Sequence, residues 1–235
     1  RDSEAGGYAW GPAIAAMARR AGTTARLFRT RLVELADAIG MQVLLVQREG
    51  TALVVVDVVG DSLTGAPITP GFTVPLVAPF GREFVAWAGK SAQRSWIDGL
   101  DSPSSQFRTR MSKVLADVRG RGFAVERLSP EWLRVHTALQ ALSGDPDVDV
   151  VTTRLAATIA DFTVVDFLDT ELAGAGDHDI ATVMVPVCDA EGLVSMAVNA
   201  IPFGPLSGPA IAHLGGQLRD AAHDIEELVA SYGGA

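Results

Sequence analysis

The chain has 235 residues, of which 48% are hydrophobic and 20% are charged, and this balance is typical of a soluble globular protein with a sizeable core. Its formal net charge of −9 repels phosphate backbones, which excludes nucleic-acid binding by these residues. No apolar run approaches the roughly eighteen residues that a membrane span needs, so no membrane association is expected. The single Cys188 excludes an internal disulfide framework, and the lack of a leader sequence predicts a cytoplasmic protein. Arg1 in place of methionine indicates a truncated chain.

The first part of the chain is predicted to form two helices and a hairpin. An Ala-rich helix is expected over residues 12–21. A second helix begins at Thr24 and has apolar residues at steps of four, three and four, namely Phe28, Leu32, Leu35 and Ile39. The β-branched runs "MQVLLVQ" and "ALVVVDVVG" are joined by the tight "REGT", which indicates a β-hairpin.

The rest of the chain alternates between helices and strands. Residues 60–75 contain three glycines and three prolines and are predicted to be a loop, after which a helix begins near Phe80. An amphipathic helix from about Ser104 precedes the strand "GFAVERL", and residues 129–161 are predicted to be helical in two pieces. "ATVMVPVCD" and "LVSMAVNAI" form a second hairpin before a last helix from Ser207. Hairpins require antiparallel pairing, so the sequence predicts an α+β domain with helices on an antiparallel sheet.

Three blocks of sequence carry a resemblance to a known family. "VPLVAPFGREFVAWA", "LADVRGRGFAVER" and "VMVPVCDAEGLVSMAVNAIPF" follow one another and precede an amphipathic helix. In this order they resemble the effector-binding domain of the IclR family of bacterial transcription regulators. "GGYAWGPAIAAMARRAG" resembles the end of that family's winged helix-turn-helix wing and its linker helix. The resemblance thus implies a wing and linker remnant over residues 1–22 and an effector-binding domain over residues 23–235.

The resemblance also implies a fold and a function. The expected fold is GAF-like or profilin-like, with an antiparallel sheet flanked by helices and a small metabolite bound on one face of the sheet. Such a domain is a sensor and not an enzyme, needs no cofactor, assembles as a homodimer or homotetramer, and reaches DNA only through the missing winged helix-turn-helix. Residues 129–178 depart from the family as an apparently helical insertion, which would cover the pocket, enlarge an oligomer interface, or pad the outer face.

The loop before the predicted helix at Phe80 corresponds to one wall of the family's effector pocket. Unpaired N–H groups at a helix N-terminus suit a carboxylate, but Pro79 has no N–H. The loop is also one residue shorter than the family pattern and is rich in apolar residues, which favours an apolar or aromatic effector. The predicted ligand-binding residues here are Val74, Leu76, Val77, Phe80, Gly81 and Arg82, the last as an anion partner. The alternative is that the aromatic residues are core and that Arg82 and Glu83 form a solvated face.

The second predicted hairpin supplies the sheet side of the pocket. In its second strand a wholly apolar face alternates with a mixed face that carries Ser195 and Asn199. Asn199 offers both a donor and an acceptor to a ligand, although it could instead bond to neighbouring backbone. On the preceding strand, Thr182 lies where the family often has a small pocket-facing residue. Thr182, Ser195 and Asn199 are therefore predicted to bind the ligand.

The acidic stretch "DFLDTELAGAGDHD", residues 166–179, allows several interpretations. The resemblance implies that Asp169 or Glu171 is an acidic residue that points into the pocket. A solvated acidic loop is the alternative, since charge runs usually face water. A third interpretation is a small-molecule enzyme on a similar scaffold that uses this stretch as a metal or general-base site. The spacing matches no recognised metal loop and no common catalytic motif is present, so no catalytic residue or metal ligand is predicted.

A further interpretation of the whole chain is a pure oligomerisation module whose pocket has lost its ligand.

Overall fold

The computed structural model describes residues 28–62, 68–100, 102–130, 132–133, 166–189 and 191–233. The strands are β1 (Gln42–Glu49), β2 (Ala52–Val59), β3 (Thr73–Pro75), β4 (Ala124–Arg127), β5 (Asp177–Cys188), β6 (Val194–Ile201) and β7 (Gly204–Ser207). The helices are α1 (28–39), α2 (Arg82–Val85), α3 (Lys90–Asp98), α4 (Ser105–Arg121), α5 (Asp169–Leu172) and α6 (Gly208–Gly233).

The strands form one antiparallel sheet in the order β3-β2-β1-β6-β5-β4, with β7 paired to the first part of β5. Both predicted hairpins are confirmed, since β1 pairs with β2 and β5 pairs with β6. The pairing of β1 with β6 then joins the two hairpins in the middle of the sheet. The predicted α+β fold with helices on an antiparallel sheet is therefore confirmed.

Each face of the sheet covers a separate hydrophobic core. Alternate residues of β1 show the division, since Leu44 and Val46 belong to one core and Val43 and Leu45 to the other. The first core is completed by α3 and by α4, whose apolar stripe is Phe107, Met111, Val114, Leu115 and Val118. The second core is covered by α1 and α6. The sheet is thus buried on both sides, which fixes the direction of every side chain along its central strands.

The segment after Phe80 differs from the continuous helix that its sequence predicts. α2 has only four residues, and a separate helix, α3, starts at Lys90. The side-chain amide of Gln93 donates hydrogen bonds to the carbonyl oxygens of Val85 and Ala86, at 3.2 and 3.1 Å. The Val85 oxygen also accepts from the Ala88 N–H at 3.0 Å in a tight turn, so the Gln93 side chain adds to the bond at Val85 and supplies one in place of the next helical turn at Ala86.

Several predicted segments lie outside the described residues. These are the wing remnant and linker helix over residues 1–22, the start of the helix from Thr24, and residues 134–165 of the predicted insertion. The later part of the Thr24 helix is confirmed as α1. Among the described residues, no helix combines the length and the apolar character needed to cross a membrane.

Candidate functional site

A cavity of about 110 Å³ lies between one face of the sheet and the loop that precedes α2. Four strands supply its apolar floor with alternate side chains, namely Leu44, Val46, Leu53, Val55, Met184 and Ile201. Since an apolar protein cavity of about 150 Å³ holds benzene, this volume corresponds to one small ring or a short chain. The cavity is therefore the candidate site for a small, mostly apolar molecule.

The cavity brings together six of the residues predicted from the sequence to bind a ligand: Val74, Phe80, Gly81, Arg82, Thr182 and Asn199. The loop before α2 provides Phe80 and Gly81, and the first residue of α2 provides Arg82, as expected for a pocket wall. The mixed face of β6 also faces the cavity. Asn199 is paired in the strand register with Met184 of β5 and Leu44 of β1, which both belong to the cavity floor. Whether these residues contact a ligand stays a prediction.

The other five predicted residues lie outside the cavity lining. Val77 is buried in the first core, Leu76 packs against that core, and Ser195 is half-buried near the start of β6. Asp169 lies 3.0 Å from Nη1 of Arg121, and Glu171 lies 3.0 Å from Nη2 of Arg110. Burial acts to raise the pKa of Glu171, but hydrogen bonds from Arg110 and from the Leu168 N–H outweigh it. The pKa of Glu171 is therefore lowered. The ligand contacts predicted for these five residues stay predictions.

The wall of the cavity turns at Gly81, which has a φ of 80° in the left-handed region. A Cβ atom at this position would lie 2.4 Å from Cδ1 of Leu76 and 3.1 Å from Cδ1 of Leu53. The turn is also held by Trp96, whose indole N–H donates to the carbonyl oxygen of Phe80 at 2.8 Å. Gly81 is thus favoured by its backbone conformation, and a Cβ atom here would displace the side chain of Leu76.

We expect Gly81→Ala to reduce the free energy of unfolding by about 2 kcal/mol or more, since it adds left-handed strain and overpacks the wall. The matched control is Gly40→Ala, because Gly40 also has a positive φ, of 66°, but has no atom near the added Cβ. That control should lose only about 1 kcal/mol. Urea denaturation of both variants measures the difference, and equal losses would show that the cavity wall tolerates the methyl group.

Arg82 is almost completely buried, with 1% of its surface exposed, beside two carboxylates. Its Nε lies 2.6 Å from Oδ2 of Asp166, and its Nη2 lies 3.3 Å from Oε1 of Glu126. It also donates to the carbonyl oxygen of Pro79. The interpretation of Arg82 and Glu83 as a solvated face is therefore wrong. The pairing leaves Arg82 little capacity for the anion-binding role predicted from the sequence.

Arg121 and Thr182 extend this buried charge cluster. Nη2 of Arg121 lies 3.1 Å from Oδ1 of Asp166, so Asp166 is held between two guanidinium groups. The hydroxyl of Thr182 donates to Oε2 of Glu126 at 2.9 Å, as the pairing of Glu126 with Thr182 between β4 and β5 allows. Asp166 is wholly buried, so a solvated acidic loop is the wrong description of that residue.

Glu83 is buried beside the cluster, with 3% of its surface exposed, and it also lines the cavity. Burial raises the pKa of Glu83 to about 7, with Arg82 opposing the shift and with Glu126 and Asp166 adding to it. Among the described residues, no hydrogen-bond partner lies near Oε2 of Glu83 or near Oδ1 of Asn199. Nε of Arg82 likewise has no hydrogen bond, but it lies 2.6 Å from Oδ2 of Asp166 as an ion pair. Within the described part of the chain, the cavity thus contains two buried oxygens without a hydrogen-bond or ion-pair partner, in a mostly apolar lining.

Sequence reasoning missed eleven lining residues, namely the six of the apolar floor and Ile68, Phe72, Glu83, Glu126 and Trp132. The signal for Glu83 was its position next to Arg82 inside an apolar run. For Glu126, the signal was a carboxylate in the short apolar strand "GFAVER". An apolar segment is usually buried, and a charged residue within it then needs a partner of opposite charge. Such positions are therefore candidates for an internal ion pair.

Within the described residues, no group of three or more His, Cys, Asp or Glu side chains is placed to hold a metal ion. Cys188 is half-buried, and its backbone N–H donates to Oε1 of Glu226 at 2.6 Å. Burial raises the pKa of the Cys188 thiol, and Glu226 adds to this effect. A raised thiol pKa disfavours the thiolate that a nucleophile requires.

The structure is similar to several solved IclR-family transcription regulators. An IclR transcriptional regulator from Alicyclobacillus acidocaldarius is 18% identical with a TM-score of 0.57, and the match covers 94% of this chain and 74% of that one. The IclR protein of Thermotoga maritima is 16% identical with a TM-score of 0.55, over 88% and 68% of the two chains. An IclR homologue from Microbacterium hydrocarbonoxydans, solved in complex with 4-hydroxybenzoate, is 13% identical with a TM-score of 0.53, over 90% and 70%.

These likenesses are between structures and not between sequences. No protein-family model matches the chain, and no curated protein matches it significantly. At identities below 20%, a common structure over most of this chain establishes a common fold. The chain therefore has the α+β fold of the IclR-family regulators, as its three sequence blocks predicted.

Proposed function

We propose that this chain is the ligand-sensing domain of an IclR-type transcription regulator. The observation that carries the proposal is the cavity on the sheet, which combines an apolar floor with two buried oxygens, of Glu83 and Asn199, that have no partner among the described residues. Such a cavity is suited to a small molecule that fills the apolar space and completes the hydrogen bonds. The similar regulator solved with 4-hydroxybenzoate supports a small-molecule effector for this fold.

The domain would act as a sensor by changing how copies of the chain assemble. In this proposal, ligand binding alters a homodimer or homotetramer, which in turn changes how winged helix-turn-helix domains are presented to DNA. The sensor itself performs no chemistry. A ligand can control such an assembly only if it binds the two arrangements with different affinity, and the cavity wall before α2 is the element that a ligand would contact.

A thermal-shift screen of aromatic acids, short carboxylates, alcohols and apolar small molecules tests the proposal. A ligand that binds only the folded state stabilises it by about 2.7 kcal/mol at one hundred times its Kd, so we expect at least one compound to raise the Tm. Phe80→Ala and Asn199→Ala should abolish that shift, because both residues line the cavity. Ser195→Ala, on the same strand but outside the lining, is the matched control and should keep it. A screen without any stabilising compound would contradict the sensor function.

A further inference from the structure

The chemical class of the ligand can be inferred from the polar atoms in the cavity, and this inference rests on the proposed sensor function. The cavity presents Oε2 of Glu83 and Oδ1 of Asn199, and among the described residues neither oxygen has a hydrogen-bond partner. Both residues are more than nine-tenths buried. The third such atom in the lining, Nε of Arg82, is a donor, but it is ion-paired with Oδ2 of Asp166 at 2.6 Å. A carboxylate oxygen and an amide oxygen are both acceptors, so the missing group is a hydrogen-bond donor.

The charges around the cavity point away from an anionic ligand. The charged residues among the described lining are Arg82, Glu83 and Glu126, and Arg82 is occupied by Glu126, Asp166 and the Pro79 carbonyl oxygen. An anion placed here would lie beside two carboxylates and find its one neighbouring cation already paired. Burying a charge without a partner is strongly unfavourable.

We propose that the cavity binds a neutral, single-ring or short-chain compound whose hydroxyl group donates a hydrogen bond to Glu83. The apolar floor on β1, β2, β5 and β6 receives the carbon skeleton, and the volume of about 110 Å³ limits the skeleton to about one ring. A hydroxyl group both donates and accepts, so it also suits a protonated Glu83. Phenol is the simplest compound with these properties.

The test compares phenol with toluene and benzoate by titration calorimetry of the wild-type chain. Toluene has nearly the same shape but no hydroxyl, and benzoate carries a negative charge. Phenol should bind at least about tenfold more tightly than toluene, because toluene leaves the buried oxygen without a hydrogen-bond partner and such an unpaired group costs at least that much. Benzoate should bind more than about a hundredfold more weakly than phenol.

A variant assigns the preference to the carboxylate. In Glu83→Met the side chain keeps its length and loses the acceptor, so the ratio of the toluene Kd to the phenol Kd should fall to about one. Glu83→Gln keeps an acceptor oxygen and should keep a preference for phenol. Glu191→Met, at an exposed position between β5 and β6, is the matched control and should keep the wild-type ratio. If Glu83→Met does not fold, the three wild-type affinities decide the matter alone.

Two results would overturn the inference while leaving the sensor function in place. Equal affinity for phenol and toluene would show that the cavity binds apolar molecules without reading a hydroxyl. Tighter binding of benzoate than of phenol would show that the cavity prefers an anion. If none of the three binds but the thermal-shift screen yields an anionic ligand, the inference again fails and the sensor function stands. If nothing in that screen binds either, both proposals fail.

Discussion

Replacing Arg82 by methionine should lower the free energy of unfolding by about 3 to 5 kcal/mol, which is the usual cost of removing one partner from a buried ion pair. The substitution leaves Glu126 and Asp166 in the interior without the guanidinium that lies 3.3 and 2.6 Å from them. Asp166 keeps Arg121, whereas among the described residues the Glu126 carboxylate keeps the hydrogen bond from Thr182 and no cation. Guanidinium chloride denaturation, followed by circular dichroism, measures the loss.

Arg108→Met is the matched control for that experiment, because Arg108 also pairs with an aspartate but does so on the surface. Arg108 and Asp98 are 46% and 51% exposed, and an exposed pair of this kind contributes less than about 1 kcal/mol. Adding Glu126→Gln to Arg82→Met should recover part of the lost stability, since it removes the carboxylate charge that has lost its guanidinium partner. If Arg82→Met costs no more than Arg108→Met, the buried charge cluster does not stabilise the fold.

Replacing Glu83 by glutamine should change how stability depends on pH. The pKa of Glu83 rises from its ordinary value of 4.5 to about 7 on folding, because the side chain is buried near Glu126 and Asp166, with Arg82 opposing the shift. Between these two pH values the folded chain binds more protons than the unfolded chain, so the contribution of Glu83 to stability falls as the pH rises. The difference between 4.5 and about 7 corresponds to about 3 kcal/mol.

The difference in unfolding free energy between Glu83→Gln and wild type should therefore change with pH only above the ordinary pKa of glutamate. Below pH about 4.5 the folded and unfolded wild-type chains are both protonated at Glu83. Above pH about 7 the variant should be more stable relative to wild type, by about 3 kcal/mol more than at low pH. Denaturation at a series of pH values from 4 to 8 tests this, and Glu191→Gln, at an exposed position, should give a flat difference. A flat difference for Glu83→Gln would mean that its pKa is not raised by folding.

The sequence predicted α4 and the two hairpins, because these elements are determined by residues that are close together along the chain. The helix expected from about Ser104 is α4, which runs from Ser105 to Arg121. At its start the Ser104 hydroxyl accepts a hydrogen bond from the Phe107 N–H at 3.1 Å, and at its end Gly122 has a φ of 90°. The two hairpins were predicted from β-branched runs and short connections. These features are fixed by residues close in sequence, so one sequence is sufficient to identify them.

The candidate site was only partly predictable, because its polar side is made by segments far apart in the chain. Arg82 and Glu83 stand next to each other in an apolar run, and this pattern is compatible with a solvated face or with a buried pair. The decision depends on Glu126 in β4 and on Asp166, which approach Arg82 only when the sheet has formed. The break between α2 and α3 likewise depends on a side-chain amide, that of Gln93, which no periodicity reveals.

The two ends of the strand order have a consequence for how copies of the chain can meet. β3 has three residues and finishes in Pro75, which has no N–H to offer, whereas the inner strand β5 has twelve residues. β4 has four residues, and Asp166 already forms a bridge to Glu126 there. Short edges that contain proline or are already covered resist the addition of a strand from another molecule, which protects the sheet against edge-to-edge aggregation. The described edges of the sheet therefore do not favour association between copies of this chain by addition of strands.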